Sequence, residues 1–203
     1  MDVHIRLITE ADYPQVLAVY APYALHTAIT FEYDVPSLDE FSQRLRTISH
    51  LYPILVCEVE GTVAAYCYGS MHRFKTAYQW SVESTIYISE AYQNKGLGSI
   101  LYSCLFDILR LQGFINVYAG VSVPRGQSDK FHHRFGFKEL CVFEKIGYKH
   151  DQWHDLKWFE YGLSNHIDDP SAPVPIQTMQ DNETVLEILD RETKRLHAAL
   201  AKA

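Results

Sequence analysis

An α+β fold built on one mainly antiparallel sheet is what this 203-residue sequence predicts, and three observations carry that prediction. Helix-like and strand-like segments are mixed without strict alternation, which disfavours a doubly wound parallel sheet. Two strand-like runs meet across the two-residue polar turn Glu60-Gly61, the pattern of a hairpin. A third run, Val82–Ile88, passes through a glycine-bearing turn directly into an amphipathic helix.

The elements follow in order. Val3–Ile8 alternates apolar and polar residues and reads as a first strand. Thr9 to Asp12 offers caps for a helix carrying Val16, Leu17, Val19 and Tyr20, with Pro14 in its first turn. Ser37-Leu-Asp-Glu40 is a capping box opening a helix to about Ile48. The hairpin spans Pro53–Val59 and Thr62–Ser70. Leu97–Gln112 places Leu97, Leu101, Cys104, Leu105, Ile108 and Leu111 on one helical face and stops at Gly113. Ile115–Val123 is a strand, Ser128–Phe135 a short helix, and Phe137–Ile146 and His154–Tyr161 are two further strands.

The compact pattern ends near Leu163, so residues 1–163 are expected to form one domain and 164–180 a proline-rich linker. Residues 181–203 read as a C-terminal helix with a break at Glu192, too narrow in its apolar stripe to fold alone. Docking on its own body, docking on a partner subunit, and fraying are the alternatives.

Composition narrows the function classes. At 47% hydrophobic and 21% charged the chain is ordinary for a soluble globular protein. A net charge of −7 argues against general affinity for nucleic acid or an anionic membrane. No run approaches membrane-spanning length and the N-terminus has no long apolar core, so a cytoplasmic location is expected. The four cysteines lie one per segment without a C-x-x-C pair, which points to reduced, buried thiols. His150 and His154 are four apart, but in a loop-and-strand context that gives no metal site, and none is expected.

The chemistry concentrates between Glu83 and Ser99. Gln93-Asn94-Lys95-Gly96-Leu97-Gly98 follows a strand and opens a helix. Successive backbone N–H groups at a helix N-terminus make an anion site, reinforced by the helix dipole. A third glycine is missing for a dinucleotide fingerprint, and Gly-Lys-Ser/Thr is missing for a Walker loop. Upstream on the same strand, Glu83 supplies a carboxylate suited to acid–base work beside a phosphate-bearing ligand.

Residues 77–88 with this turn resemble the GNAT N-acetyltransferase superfamily, and within it the phosphinothricin and methionine-sulfoximine acetyltransferase branch. Further matches are Thr30-Phe31, Tyr52-Pro53, Phe131-His132-His133 leading to Phe135-Gly136-Phe137, and Gly147-Tyr148-Lys149-His150 through Trp153-His154-Asp155. The resemblance runs from about Val3 to Leu163.

The resemblance implies acetyl-CoA as donor, with pyrophosphate on Asn94, Lys95, Gly96, Leu97, Gly98 and Ser99 and pantetheine along the backbone of Ile86, Tyr87 and Ile88. A free N–H at the splayed end of that strand would serve as an oxyanion donor. It implies Glu83 as general base and His132 as general acid toward the departing thiolate, the superfamily more often having tyrosine at that slot. Around the acceptor amine it places Phe31, Lys75, Tyr78 and Glu83, and Arg73, on the same loop as Lys75, offers further positive charge for an anionic acceptor.

Two positions depart from the pattern. Lys75 stands where arginine is usual, losing a bidentate fork. Arg125, followed by the helix that includes Ser128, stands where an asparagine amide usually meets pantetheine. The expected activity is direct acetyl transfer to the amine of a small amino-acid-like molecule, by a homodimer. Two alternatives remain: another amine as acceptor (a polyamine, a different amino acid or a peptide N-terminus), or an acyl-CoA-binding protein without catalysis.

Overall fold

A computed structural model describes residues 1–123 and 126–201. Seven strands form one sheet in the order β1-β2-β3-β4-β5-β7-β6. They are β1 (Val3–Leu7), β2 (Ile54–Val59), β3 (Thr62–Met71), β4 (Ser81–Ile88), β5 (Asn116–Val123), β6 (Lys138–Lys149) and β7 (Gln152–Gly162). Every pairing is antiparallel except β4 with β5. The helices are α1 (Tyr13–His26), α2 (Leu38–Leu51), α3 (Leu97–Gln112), α4 (Gly126–Phe135) and α5 (Glu183–Leu200). The expected α+β architecture with a mainly antiparallel sheet is the one observed. Among the described residues no helix is long and apolar enough to cross a membrane.

The sheet separates two apolar cores. On one face α1 and α2 pack Val16, Tyr20, Phe41 and Leu45 against Val56, Tyr66 and Tyr87. On the other, α3 sinks Leu101, Cys104, Leu105 and Ile108 into a core that Phe114, Phe137 and Phe159 complete. Ser37 starts α2 as a full capping box with Glu40, and Gly113 ends α3 in a left-handed conformation at φ 97°. Leu111 is a correction: it is 39% exposed, because its position falls at the rim of the buried stripe.

Two strand boundaries also move. β6 runs on to Lys149 and β7 begins at Gln152, so Gly147 lies in a strand and the hairpin turn is His150-Asp151, both residues at positive φ. Loop-like composition was overridden by pairing across the hairpin, Gly147 with His154 and Lys149 with Gln152.

The C-terminal segment docks on its own body. Val174 N–H donates to Gln112 C=O at 2.8 Å and the Gln112 amide returns to Val174 C=O at 2.7 Å. The Trp80 indole N–H bonds Ser171 C=O at 2.8 Å. Ile176 and Met179 are buried, and α5 adds Val185, Ile188, Leu196 and Leu200 to the α3-side core. Thr193 Oγ1 accepts the Ile5 N–H at 2.9 Å, so α5 shields the β1 edge of the sheet. The expected break at Glu192 does not exist: α5 is continuous, and Glu192 is fully buried between Arg191 and Arg195, at 2.9 and 2.7 Å. A charge interrupting an apolar stripe is compatible with a helix when arginines on the same helix reach it.

Candidate active site

The parallel pairing of β4 and β5 covers only three positions, Ser81 with Asn116 through Glu83 with Tyr118. Beyond them β4 stays bonded to β3, and β5 to β7. A cleft therefore opens between β4 and β5, with Glu83 and Tyr118 at its apex. The Ser89 N–H bonds Ala64 C=O at 2.9 Å. By antiparallel alternation Tyr87, Thr85 and Glu83 then point their backbone groups toward β3, while Ser84, Ile86 and Ile88 point theirs into the cleft. Of the three residues expected to pair with pantetheine, Tyr87 thus has its backbone committed to Tyr66 across the ladder. At Ile88 the Tyr23 hydroxyl lies 3.3 Å from the N–H and donates to the C=O at 2.5 Å.

The turn after β4 has the local shape of an anion site. Asn94 and Gly96 both hold left-handed φ, at 60° and 84°. Gly96 caps α3, and the N–H groups of Leu97, Gly98 and Ser99 start the helix, where no intrahelical acceptor exists. Leu97 is buried and anchors the turn. Lys95 sits over the Tyr92 ring, 5.3 Å from its centroid. A Cβ on Gly98 would lie 3.1 Å from the Phe131 ring and 3.6 Å from Ile88, so glycine is what lets α3 start this close to β4 and α4. Space beside the Gly96 backbone is open, as a cradle for a phosphate requires.

Glu83 points to the α1/α2 face, in line with Thr85 and Tyr87. Its carboxylate is about a third exposed and lies 3.0 Å from His72 Nδ1. The His72 ring stacks on Tyr118 at 4.4 Å between centroids and meets Trp158 edge-on at 5.9 Å. The Tyr118 hydroxyl donates to Glu160 at 3.2 Å, and burial, then Glu160, pushes its pKa up. Sequence reasoning missed His72. The signal was the hairpin register: Ser70 pairs with Glu83, so His72, two residues on, shares that face.

Along the same face lies a cavity of about 130 Å³ bounded by Tyr20, Glu32, Arg44, Tyr66, Tyr68 and Tyr87. Glu32 accepts from the Tyr20 hydroxyl and from Arg44, both at 2.6 Å. Burial pushes the Tyr20, Tyr66 and Tyr87 hydroxyls up, so they stay neutral donors.

Phe31 is clamped over β6: a Cβ on Gly147 would fall 2.6 Å from its ring. Lys149, buried, donates to Ala24 C=O at 2.6 Å and Thr30 C=O at 2.9 Å, and burial lowers its pKa. His154 bonds Lys149 C=O at 2.9 Å. Arg73, Lys75 and Tyr78 all lie on the exposed segment between β3 and β4, and no described carboxylate pairs with either cation.

His132 is 4% exposed and sits on the opposite face from Glu83, among Tyr102, Phe137 and Phe159. Its Nδ1–H donates to Ser128 C=O at 2.8 Å; Nε2 is buried with no partner among the described residues. Burial lowers its pKa, which keeps the ring neutral. The two residues expected to be catalytic are therefore not in contact; they approach the β4/β5 region from opposite faces. His133 is exposed and faces Glu139 at 3.6 Å. Arg125 lies outside the described residues.

Cys57, Cys67 and Cys104 are buried and their thiols are pushed up, Cys57 to about 12, which disfavours an acyl-thiol route. No group of three or more His, Cys, Asp or Glu among the described residues is placed to hold a metal ion.

Comparison with known proteins agrees with this fold. The family model for an acetyltransferase (GNAT) domain matches residues 5–158. A phosphinothricin N-acetyltransferase of Streptomyces viridochromogenes is 33% identical over 175 residues, covering 86% of this chain and 93% of that protein. An L-methionine sulfoximine/L-methionine sulfone acetyltransferase of Salmonella typhimurium is 30% identical over 163 residues, covering 80% and 95%. Among solved structures, a phosphinothricin acetyltransferase of Sinorhizobium meliloti in complex with acetyl-CoA superposes with a TM-score of 0.78 at 29% identity, covering 84% of this chain and 96% of that one.

Proposed function

The chain belongs to the GNAT acetyltransferase family, and from that premise we propose that it transfers the acetyl group of acetyl-CoA to the amine of a small amino-acid-like molecule such as phosphinothricin or methionine sulfoximine. The observation that carries this reading is the β4/β5 cleft with Glu83 at its apex and an open helix N-terminus at its far end. Bound acetyl-CoA supplies an activated acyl group. The N–H groups of Leu97, Gly98 and Ser99 hold its pyrophosphate, and Ser84 and Ile86 offer backbone groups to the arm and to a developing oxyanion.

The acceptor arrives as an ammonium and must lose a proton before it attacks. Glu83, whose side chain lies on the α1/α2 face, drives that proton transfer as the base, directly or through a neighbouring group. In the neutral ring, with its proton on Nδ1, His132 Nε2 holds a lone pair; to serve the leaving thiolate as general acid it must first take up a proton, which it then passes to sulfur. Attack is direct, in a ternary complex. Arg73 and Lys75 remain as exposed cations for the acceptor's anionic groups. Glu32 carries little weight for a polyamine, since Tyr20 and Arg44 already occupy its carboxylate.

A homodimer is part of this reading. β6 ends the sheet, and Leu140, Val142, Phe143 and Ile146 on it are exposed, an apolar strand edge that a second copy would cover. Size-exclusion chromatography with light scattering reads this directly; a monomer at micromolar concentration overturns it.

The test of the activity is CoA release over a panel of amines. Turnover of phosphinothricin or methionine sulfoximine, with kcat reduced about 100-fold or more by Glu83→Gln, is expected. Tight acetyl-CoA binding with no turnover on any amine overturns it.

A further inference from the structure

We propose that His72 is a catalytic residue of this site: with Glu83 it forms a carboxylate–imidazole pair that takes up the acceptor's proton and releases it to solvent. The inference rests on the acetyl-transfer reading above and adds to it a group that the family resemblance did not place there.

Three observations carry it. The pair is in hydrogen-bond contact, His72 Nδ1 to Glu83 Oε1 at 3.0 Å. It stands at the apex of the cleft, because the residue on which the imidazole stacks, Tyr118, is the register partner of Glu83 in the last bonded step between β4 and β5. And the ring is held on two sides, by Tyr118 in parallel and Trp158 edge-on, with Tyr118 itself tied to Glu160. A surface histidine does not need three aromatic and carboxylate neighbours to fix its plane.

The chemistry follows from the orientation. An ionised Glu83 accepts the Nδ1–H, which selects the tautomer with a lone pair on Nε2. The one side-chain hydrogen bond found for the ring among the described residues is that of Nδ1. In the reaction one N–H bond of the acceptor ammonium breaks and its electron pair stays on nitrogen for the attack. A new N–H bond forms at Nε2, directly or through one water. The imidazolium is stabilised by the Glu83 charge and then returns its proton to bulk water. No oxidant or further co-reactant is required. The charged and titratable groups around the ring are Glu83 from β4, Tyr118 from β5 with Glu160 of β7 behind it, and the exposed Arg73 and Lys75 on its own segment.

The test separates a base from a brace. His72→Asn keeps an N–H donor for Glu83 but cannot take a proton; His72→Phe keeps the stack on Tyr118 but loses the donor. If His72 is the base, both variants lose about 100-fold in kcat at neutral pH and one inflection leaves the kcat–pH profile, while the acetyl-CoA Kd stays within twofold. If His72 only orients Glu83, His72→Asn restores most of the rate that His72→Phe loses, and the proposal fails.

A second readout needs no turnover. In the ¹⁵N-histidine spectrum of the full chain, the neutral ring of His72 should show a protonated Nδ1 and an unprotonated Nε2, a balance that changes in Glu83→Gln. The opposite tautomer overturns the proposal whatever the kinetics. A wild-type chain with the expected tautomer that turns over no amine overturns the acetyl-transfer reading, and the catalytic role with it.

Discussion

Two buried charges, Lys149 and Glu192, are held in opposite ways on opposite faces of the sheet. Glu192 in α5 is saturated: Arg191 and Arg195 reach its two oxygens, and Arg191 continues to Asp107 of α3. Lys149 in β6 is paired with no carboxylate among the described residues; its ammonium is shared between two carbonyl oxygens at the end of α1 and in the loop before Phe31. The difference follows from what each region does. The tail is a strut, so its polar groups are paired with one another and its apolar face is sealed. In the proposed reaction the α1/α2 side, where the acceptor would lie, must hold a loop in place while leaving room for a charged ligand. It keeps groups whose partners are weak, and the unpartnered Nε2 of His132 on the other face fits the same pattern.

The comparison can be broken most forcefully in the tail. The double change Arg191→Ala with Arg195→Ala leaves Glu192 buried and unpaired, and should cost about 3–5 kcal/mol of stability. Urea unfolding checks this, and acetyl-CoA KM should not move before the chain unfolds. A loss below about 1 kcal/mol would mean that water reaches Glu192.

Lys149→Met comes next. It leaves the Ala24 and Thr30 carbonyls without their donor and should cost about 1–3 kcal/mol. Because Phe31 follows Thr30, the KM of the acceptor should rise several-fold while that of acetyl-CoA stays put. Equal changes in both would deny that Lys149 serves the acceptor side specifically.

Gly98→Ala probes the donor end of the site. Its new Cβ pushes on Phe131, and the α3 N-terminus must shift by a few tenths of an ångström. About 1 kcal/mol of overpacking predicts a several-fold rise in acetyl-CoA KM with little change in melting temperature, since alanine favours the helix.

The smallest effect is in pH. His132 has a folded pKa below its unfolded value near ~6.5, so on acidification the unfolded chain takes up the proton first. Stability therefore rises with pH through that window and falls as pH drops below about 6.5. His132→Phe should flatten the dependence of unfolding free energy on pH between 5 and 7, by about 1 kcal/mol or less. An unchanged slope would mean that His132 is not the group responsible.

Much of the fold was legible in local pattern. The capping box at Ser37, the hairpin at Glu60-Gly61 and the left-handed glycine ending α3 depend on neighbours within four residues, and each stands where the pattern placed it. The Glu83–Ser99 segment was legible for the same reason. Glu192 was misread because a lone charge in an apolar stripe looks like an interruption until its two arginines are placed beside it. His72 was missed because no motif spacing joins it to Glu83; only the β3/β4 register does.

By itself, then, the sequence determined the element types, the strand–turn–helix of residues 83–99 and the family resemblance, because these are written in short-range periodicity and in residues contiguous along the chain. Only the tertiary structure decided which groups meet. It opened the sheet at Glu83 and Tyr118, set His132 on the face opposite Glu83, seated Phe31 on Gly147 and laid α5 along α3 and β1. Each of these brings together residues distant in sequence, where sheet register and the burial of apolar faces set the distance, and neither can be read from one segment alone.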